Sequence, residues 1–407
     1  MTRLTRQTRR AQAKLLLKMG KAISEAGAPA HRLEASMQVL LDKFKMEGSF
    51  FSMPTALFAT LGDEEVQRTY MERTSPKDIN LEKISDLSDV INRLEEDKLD
   101  VYDAYEEIKV INKAEPRYHS AVTIFSTGLA SASLAGLFQG SWMDVLISLL
   151  MGWTTAFIII FSSKHHHLSL LFTPIAATVV GFITMTISHY GQSIDHFIVS
   201  LSGLIILVPG LGITTAIREL STGHLVSGSA RMAGAVTTFL LLSFGLALGF
   251  MLALGLYGDI VIHKLQSVPE WFVYLSIFSI SSAFTVLFNA KPADYIWILL
   301  TATIAIMGSK YAGIWLQSPF SSFAAVLGVS IAGNVFALLT KKPASIMHIP
   351  GVMLLVPGSI GFKSLEAMLD NQTLDGIQTA FSALLVAVAL AVGLIAGNLF
   401  VPPRKAL

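Results

Sequence analysis

The sequence predicts a membrane all-α fold: ten transmembrane helices in two five-helix repeats of inverted topology, preceded by a soluble α+β cytoplasmic domain. Three observations lead there. Charge is uneven, with 19 Lys/Arg and 20 Asp/Glu in residues 1–117 but only 11 and 9 in residues 118–407. The charged fraction of 14% lies well below the roughly 25% of soluble domains, and mean hydropathy is +0.58. Finally, short motifs recur in the same order in the two halves of the apolar region.

The N-terminal region reads as its own domain, 1–117. Thr2 to Lys14 is basic without an apolar core, which predicts a solvated arm rather than a secretory signal. Leu15, Leu16, Met19 and Ile23 recur at helical spacing up to Gly27, and a second helix runs from about Ala30 to Phe44. Phe50 to Leu61 predicts one strand, with a turn at Gly62-Asp63 and a return through Val66 to Thr74. Asn80 and Asp100 are placed to cap two further helices.

Ten apolar segments follow, near 119–138, 143–161, 168–187, 194–217, 230–256, 271–289, 294–309, 320–339, 346–368 and 377–400. Each is close to the length that crosses about 30 Å of hydrocarbon. They divide into repeats at 118–257 and 258–407. Placing both termini in the cytoplasm puts eight Lys/Arg on inside loops, among them Lys164, Arg218, Arg231 and Lys291. Only Lys264, Lys310 and Lys363 fall outside, as the positive-inside rule requires.

The repeat rests on matched residues. Leu137-Phe138-Gln139 and Asp144 answer Leu287-Phe288-Asn289 and Asp294 at an offset of 150, and Leu207-Val208-Pro209-Gly210 answers Leu355-Val356-Pro357-Gly358 at 148. Five spans per half means the second copy enters the membrane inverted, a device of secondary transporters. The two Val-Pro-Gly sites lie inside apolar spans. Proline removes a backbone donor and glycine loosens the chain, so each predicts a broken helix whose free peptide groups can meet cargo. A plain proline kink is the simpler alternative.

Other candidates carry two readings each. Asp144 and Asp294 fit proton carriage or helix capping. Glu219 fits a proton carrier or an exposed ion pair with Arg218. Thr214 and Thr215 fit a polar substrate or a bond back to their own helix. Asn334 fits substrate binding or an interhelix bond. Pro174 with Thr173 marks a further kink, and Gly128/Gly136, Gly245/Gly249 and Gly393/Gly397 are packing stripes. The His165-His166-His167 run reads as a solvated loop. Thus no metal and no cofactor is expected. The absence of cysteine excludes disulfides and thiol chemistry, and a net charge of +1 argues against nucleic acid. No phosphate-binding G-x-x-x-x-G-K-[ST] loop or His-Glu-x-x-His zinc site occurs.

The chain resembles the threonine/serine exporter family in its fused form. The resemblance is carried by Ala26-Gly27-Ala28-Pro29-Ala30-His31-Arg32-Leu33-Glu34, Met53-Pro54-Thr55, Arg218-Glu219-Leu220, Gly228-Ser229-Ala230-Arg231 and the two Leu-Val-Pro-Gly sites. It implies a multi-pass protein of the bacterial inner membrane that exports threonine and serine by proton antiport. Split relatives imply the alternative, export of small dicarboxylates such as succinate, for which Arg218 and Arg231 are the cationic pair. The same resemblance points to Arg32, Glu34 and Thr55 in the N-terminal domain, which shows no nucleophile, base and orienter set. The partners expected are a small-molecule substrate, protons and the lipid bilayer, and a homo-oligomer is compatible. A membrane-anchored enzyme or sensor is the reading from another class, although an anchor needs neither ten spans nor inverted symmetry.

Overall fold

The computed structural model describes residues 6–62, 67–75, 78–165, 167–190, 193–258, 266–356, 358–369 and 372–403. The N-terminal unit pairs four helices with a small sheet: α1 (Arg6–Glu25), α2 (Ala30–Phe44), β1 (Gly48–Met53), β2 (Ala56–Leu61), β3 (Arg68–Arg73), α3 (Leu81–Glu95) and α4 (Val101–Lys113). Both caps form, because each is a local event: Asn80 accepts from the Lys83 amide and Asp100 from the Tyr102 amide. Gly27 has φ 88, the left-handed conformation that closes α1.

Two expectations for this region change. Met53 pairs with Ala56, so Pro54 and Thr55 are the tight turn of a hairpin and the predicted single strand is two. The predicted turn at Asp63 and the return residue Val66 lie outside the described residues. The expected solvated arm is, from Arg6 onward, the start of α1, with Gln12 already buried.

Twelve helices follow: α5 (Ser120–Leu137), α6 (Trp142–Ser163), α7 (Phe172–His189), α8 (His196–Gly203), α9 (Gly210–Ser221), α10 (Leu225–Tyr257), α11 (Phe272–Leu287), α12 (Tyr295–Ala312), α13 (Phe320–Thr340), α14 (Ser345–Leu355), α15 (Gly358–Leu369) and α16 (Thr373–Phe400). Among the described residues, eight elements are long and apolar enough to cross a membrane, or nine when the bent pair α8–α9 counts as one. The tenth expected span, α11, has 16 residues and reaches only about 24 Å at 1.5 Å per residue. Length alone thus supports eight or nine spans among the described residues, with α11 as the shorter apolar helix at the remaining expected place. Outer faces carry bare Leu240, Phe244, Leu248 and Met251 on α10, and Phe381, Leu384 and Val388 on α16. Apolar surface of that extent suits lipid rather than water.

The two halves pack alike, helix for helix. In the first, α7 lies on α10, α6 on α8, and α9 on α10. In the second, α13 lies on α16, α12 on α14, and α15 on α16. Gln139 and Asn289, at the predicted offset, share left-handed backbone with φ 57 and 48. The matched helices α5 and α11 are neighbours running in opposite directions. Tyr118, before α5, donates to the Ala290 carbonyl after α11 at 2.8 Å, and the Val268 amide, before α11, donates to Gly140 after α5 at 2.9 Å.

The small-residue stripes are contact surfaces. A methyl on Gly128 would strike Trp153, on Gly245 the Pro174 carbonyl, and on Gly397 the Ser330 side chain. Pro174 sits in the first turn of α7, where a missing amide costs little, so it starts the helix and does not kink it.

The N-terminal unit docks on both halves. Leu81 and Glu82 amides at the start of α3 donate to the Phe288 and Asn289 carbonyls at the end of α11, at 2.9 and 3.0 Å. Each helix end thus supplies what the other lacks. Lys291 pairs with Asp86 at 2.5 Å, and Asn92 and Glu96 hold Lys341 beyond α13. Against the first half, α2 meets Glu219 and His224. One apolar core runs through both parts, from Leu33 and Ile84 to Leu134, Ile280 and Phe284.

Candidate functional site

Both Val-Pro-Gly sequences interrupt helices. α8 ends at Gly203, a short 3-10 turn covers Ile205–Leu207, and α9 starts at Gly210 after a bend of 57°. In the second half α14 ends at Leu355 and α15 begins at Gly358. Pro357 itself lies outside the described residues. The breaks face each other: a methyl on Gly210 would collide with Val356 Cγ1, and one on Gly358 would lie 2.8 Å from Val208 Cγ1. Only glycine lets the two backbones approach so closely. The N-terminal ends of α9 and α15 therefore lie side by side, with the Gly210 amide donating to the Val208 carbonyl at 2.9 Å.

Beyond this crossing, the predicted residues scatter. Thr214 is buried and donates back to the Gly210 carbonyl of its own helix at 3.3 Å, while half-buried Thr215 makes no side-chain hydrogen bond among the described residues. Asn334 does not line the breaks. Its amide donates to Asn398 Oδ1 at 2.9 Å and the Val401 carbonyl at 2.8 Å, tying α13 to the end of α16. Asp144 and Asp294, equivalent in sequence, do different work. Asp144 completes a capping box with Ser141 and also accepts from the Asp195 amide at 2.7 Å. Asp294 makes no cap; its carboxylate pairs with Lys342.

Glu219 and Arg218 correct the expected exposed pair. Glu219 has no exposed surface. Its carboxylate accepts from Arg231 Nε at 3.0 and 3.1 Å, Ser227 Oγ at 2.9 Å and the Ala30 amide at 2.9 Å. The last contact puts a negative charge on the positive end of α2. Arg231 Nε is thereby engaged by Glu219 rather than by Arg218's surroundings.

Arg218, next in sequence, turns the other way. It lines a small cavity of about 50 Å³ with Ala28, Pro29, Arg32, Ile84, Ser345, His348 and Ile349. The space is walled by α2 and α3 of the N-terminal unit and by α9 and α14 of the two halves. Arg218 is 9% exposed, and its Nε and the Ser345 Oγ have no hydrogen-bond partner among the described residues. Neither Arg218 nor Arg32 forms an ion pair among the described residues. Burial pushes the Arg32 guanidinium below its usual range. Beside it, His31 has both ring nitrogens buried and unpartnered. Burial first, then the charges of Arg218 and Arg32, push its pKa down to about 2. No group of three His, Asp or Glu able to hold a metal occurs among the described residues.

Sequence reasoning missed His31, Ser345 and His348. They come from segments more than 300 residues apart, and only a polar residue inside the apolar run around His348 hinted at its role. Thr55 lies in the β1–β2 turn, away from the cavity, where its carbonyl accepts the Thr74 amide.

Broken, reciprocally packed apolar helices under a docked N-terminal unit define a polytopic membrane transporter. The chain belongs to the threonine/serine exporter family: one model of that family matches residues 14–253 and a second matches residues 272–400. Among curated proteins, it is 27% identical to pheromone-regulated membrane protein 10 of Debaryomyces hansenii, over 96% of this chain and 42% of the relative. The Kluyveromyces lactis protein of the same name is 24% identical over 96% of this chain and 44% of its own length. The chain spans less than half the length of these relatives, which are yeast membrane proteins. No solved structure matches.

Proposed function

We propose that the chain is a secondary active exporter of small amino acids such as threonine and serine, working by proton antiport. The observation that carries this reading is the reciprocal crossing, in which Gly210 packs on Val356 and Gly358 on Val208. Two helix N-termini brought side by side suit a substrate carboxylate. As they stand the breaks are closed on each other, so cargo passes only when the halves move apart. The opposed directions of α5 and α11 support inverted repeats, and inverted repeats can exchange inward- and outward-facing shapes by rocking. In this reading the N-terminal unit lies in the cytoplasm, in a bacterial inner membrane with both termini inside.

Glu219 is the carboxylate best placed to couple protons to movement. Protonation would weaken its pair with Arg231 and its hold on α2, loosening the N-terminal unit from the first half. Asp144 is occupied as a cap and Asp294 by Lys342, so they are weaker candidates.

Vesicles containing the protein should move labelled threonine or serine, and faster with a pH gradient. Succinate in place of both would favour the dicarboxylate alternative. Gly210→Ala should lower flux about tenfold or more, since one overpacked methyl costs on the order of 1–3 kcal/mol. Val356→Ala in the same chain should restore it by returning the space. Undiminished flux in Gly210→Ala would refute the crossing as the transport site.

A further inference from the structure

We infer that the Arg32–Arg218 cavity is a carboxylate-binding site, assembled jointly by the N-terminal unit and the transmembrane helices and separate from the helix breaks. Its occupant is the carboxylate of a small metabolite.

Charge in this region is unanswered. The cluster under α2 holds three guanidiniums, of Arg32, Arg218 and Arg231, and two carboxylates, of Glu34 and Glu219. Both carboxylates are already used. Glu219 is saturated by Arg231, Ser227 and Ala30. Glu34 accepts the Ser52 amide at 2.9 Å and meets His224 Nε2 at 3.1 Å. Arg32 and Arg218 are left facing one space with no anion among the described residues. Arg218 is buried and Arg32 half-buried, and like charges held together away from water are costly unless something negative joins them. His31 cannot offer a charge of its own, and the packing around it keeps it neutral.

The cavity has the form such an anion needs. About 50 Å³ exceeds the roughly 10–15 Å³ that one water requires. It accommodates a carboxylate group but not a lipid headgroup with its chains. Two guanidiniums present planar forks of N–H donors, which match a carboxylate's paired oxygens. The unpartnered Ser345 Oγ, at the N-terminal turn of α14, adds a hydroxyl donor where the helix end is also positive. Ile84 and Ile349 supply apolar wall for a short carbon chain.

Position links this site to transport. Arg218 lies eight residues beyond Gly210 on α9, and His348 seven before Leu355 on α14. At 1.5 Å per residue the cavity sits about 10–12 Å along both helices from the crossing. A carboxylate held there is at the mouth of the path, one step before the breaks. That the carboxylate is cargo rests on the exporter reading; that it binds does not.

The test measures equilibrium binding to the full-length protein in detergent, without transport. The probes are acetate, threonine, threoninamide (which lacks the carboxylate) and inorganic phosphate. Acetate and threonine should bind and threoninamide should not. Arg32→Gln and Arg218→Gln should each weaken acetate and threonine by about ten- to a hundredfold, as expected for a lost charge-assisted pair. Ligand-free Arg218→Gln should melt no lower than the wild type, because it removes one of two uncompensated charges.

Unchanged affinity in both variants, or threoninamide binding as well as threonine, overturns the site. Phosphate binding without acetate or threonine overturns the carboxylate assignment. A ligand-free Arg218→Gln that melts lower while carboxylates bind it normally would make the arginine structural, and the inference fails. Vesicle flux is read separately: binding without threonine flux would sink the exporter reading and leave the site standing.

Discussion

Two clusters lie side by side beneath α2, and they handle buried charge in opposite ways. Around Glu219 every lone pair finds a donor, and the donors come from α2 and α10. Around Arg218 the donors outnumber the acceptors, and a cavity takes the place of a partner. Both groups sit on consecutive residues at the end of one helix. The balanced cluster therefore behaves as a latch that holds the N-terminal unit, and the unbalanced one as a receptor waiting for an anion. Burial alone does not separate these roles; the count of answered charges does.

The largest effect should come from breaking the latch. Glu219→Ala leaves Arg231 without its anion and leaves the Ala30 amide and Ser227 hydroxyl buried without acceptors. Removing one partner of a buried pair costs about 3–5 kcal/mol. The detergent-solubilised protein should melt markedly lower, and residues 6–113 should become the first part cut by protease. A melting temperature within a degree or so of wild type would remove the latch from the comparison. Arg218→Gln, one residue away, should show nothing of the kind.

A smaller effect should follow pH through His31. In the unfolded chain this imidazole titrates near 6.5, whereas in the fold its pKa is about 2. The folded form therefore holds it neutral while the unfolded form takes up a proton below pH 6.5. Stability from this group is complete above 6.5 and falls as pH drops, by at most about 1.4 kcal/mol per pH unit. The groups facing it are Arg32 on its own helix, Arg218 on α9, His224 before α10 and Arg231 on α10. Thermal melts at pH 7 and pH 5 should separate in the wild type and move closer together in His31→Asn. Equal gaps in wild type and His31→Asn would show that the fold does not hold this ring neutral.

What could be read from sequence divides along the same line as local and distant contacts. Asn80 and Asp100 were legible as caps because a cap joins residues two or three apart. The helix breaks were legible because proline and glycine act on their own backbone. The transmembrane segments emerged from hydropathy, although α11 is too short to count by length. The hairpin was not legible, since Pro54-Thr55 lies within a run whose composition suits one long strand. Asp144 and Asp294 looked alike in register, yet one caps and the other meets Lys342, 48 residues away. The Arg32–Arg218 cavity was the least accessible, because its walls come from α2, α3, α9 and α14 and nothing in any one of them announces the others.

The smallest effect should lie at the rim of the latch, where His224 meets Glu34 at 3.1 Å. Their side chains are 21% and 24% exposed, so solvent screens the pair, and partly exposed ion pairs contribute less than about 1 kcal/mol. Glu34 also keeps its bond from the Ser52 amide when the imidazole is removed. His224→Ala should therefore shift melting only slightly and leave the protease pattern of residues 6–113 intact. If it instead matched Glu219→Ala, the docking strength would reside at the rim, and the buried carboxylate would be a passenger rather than the centre of the latch.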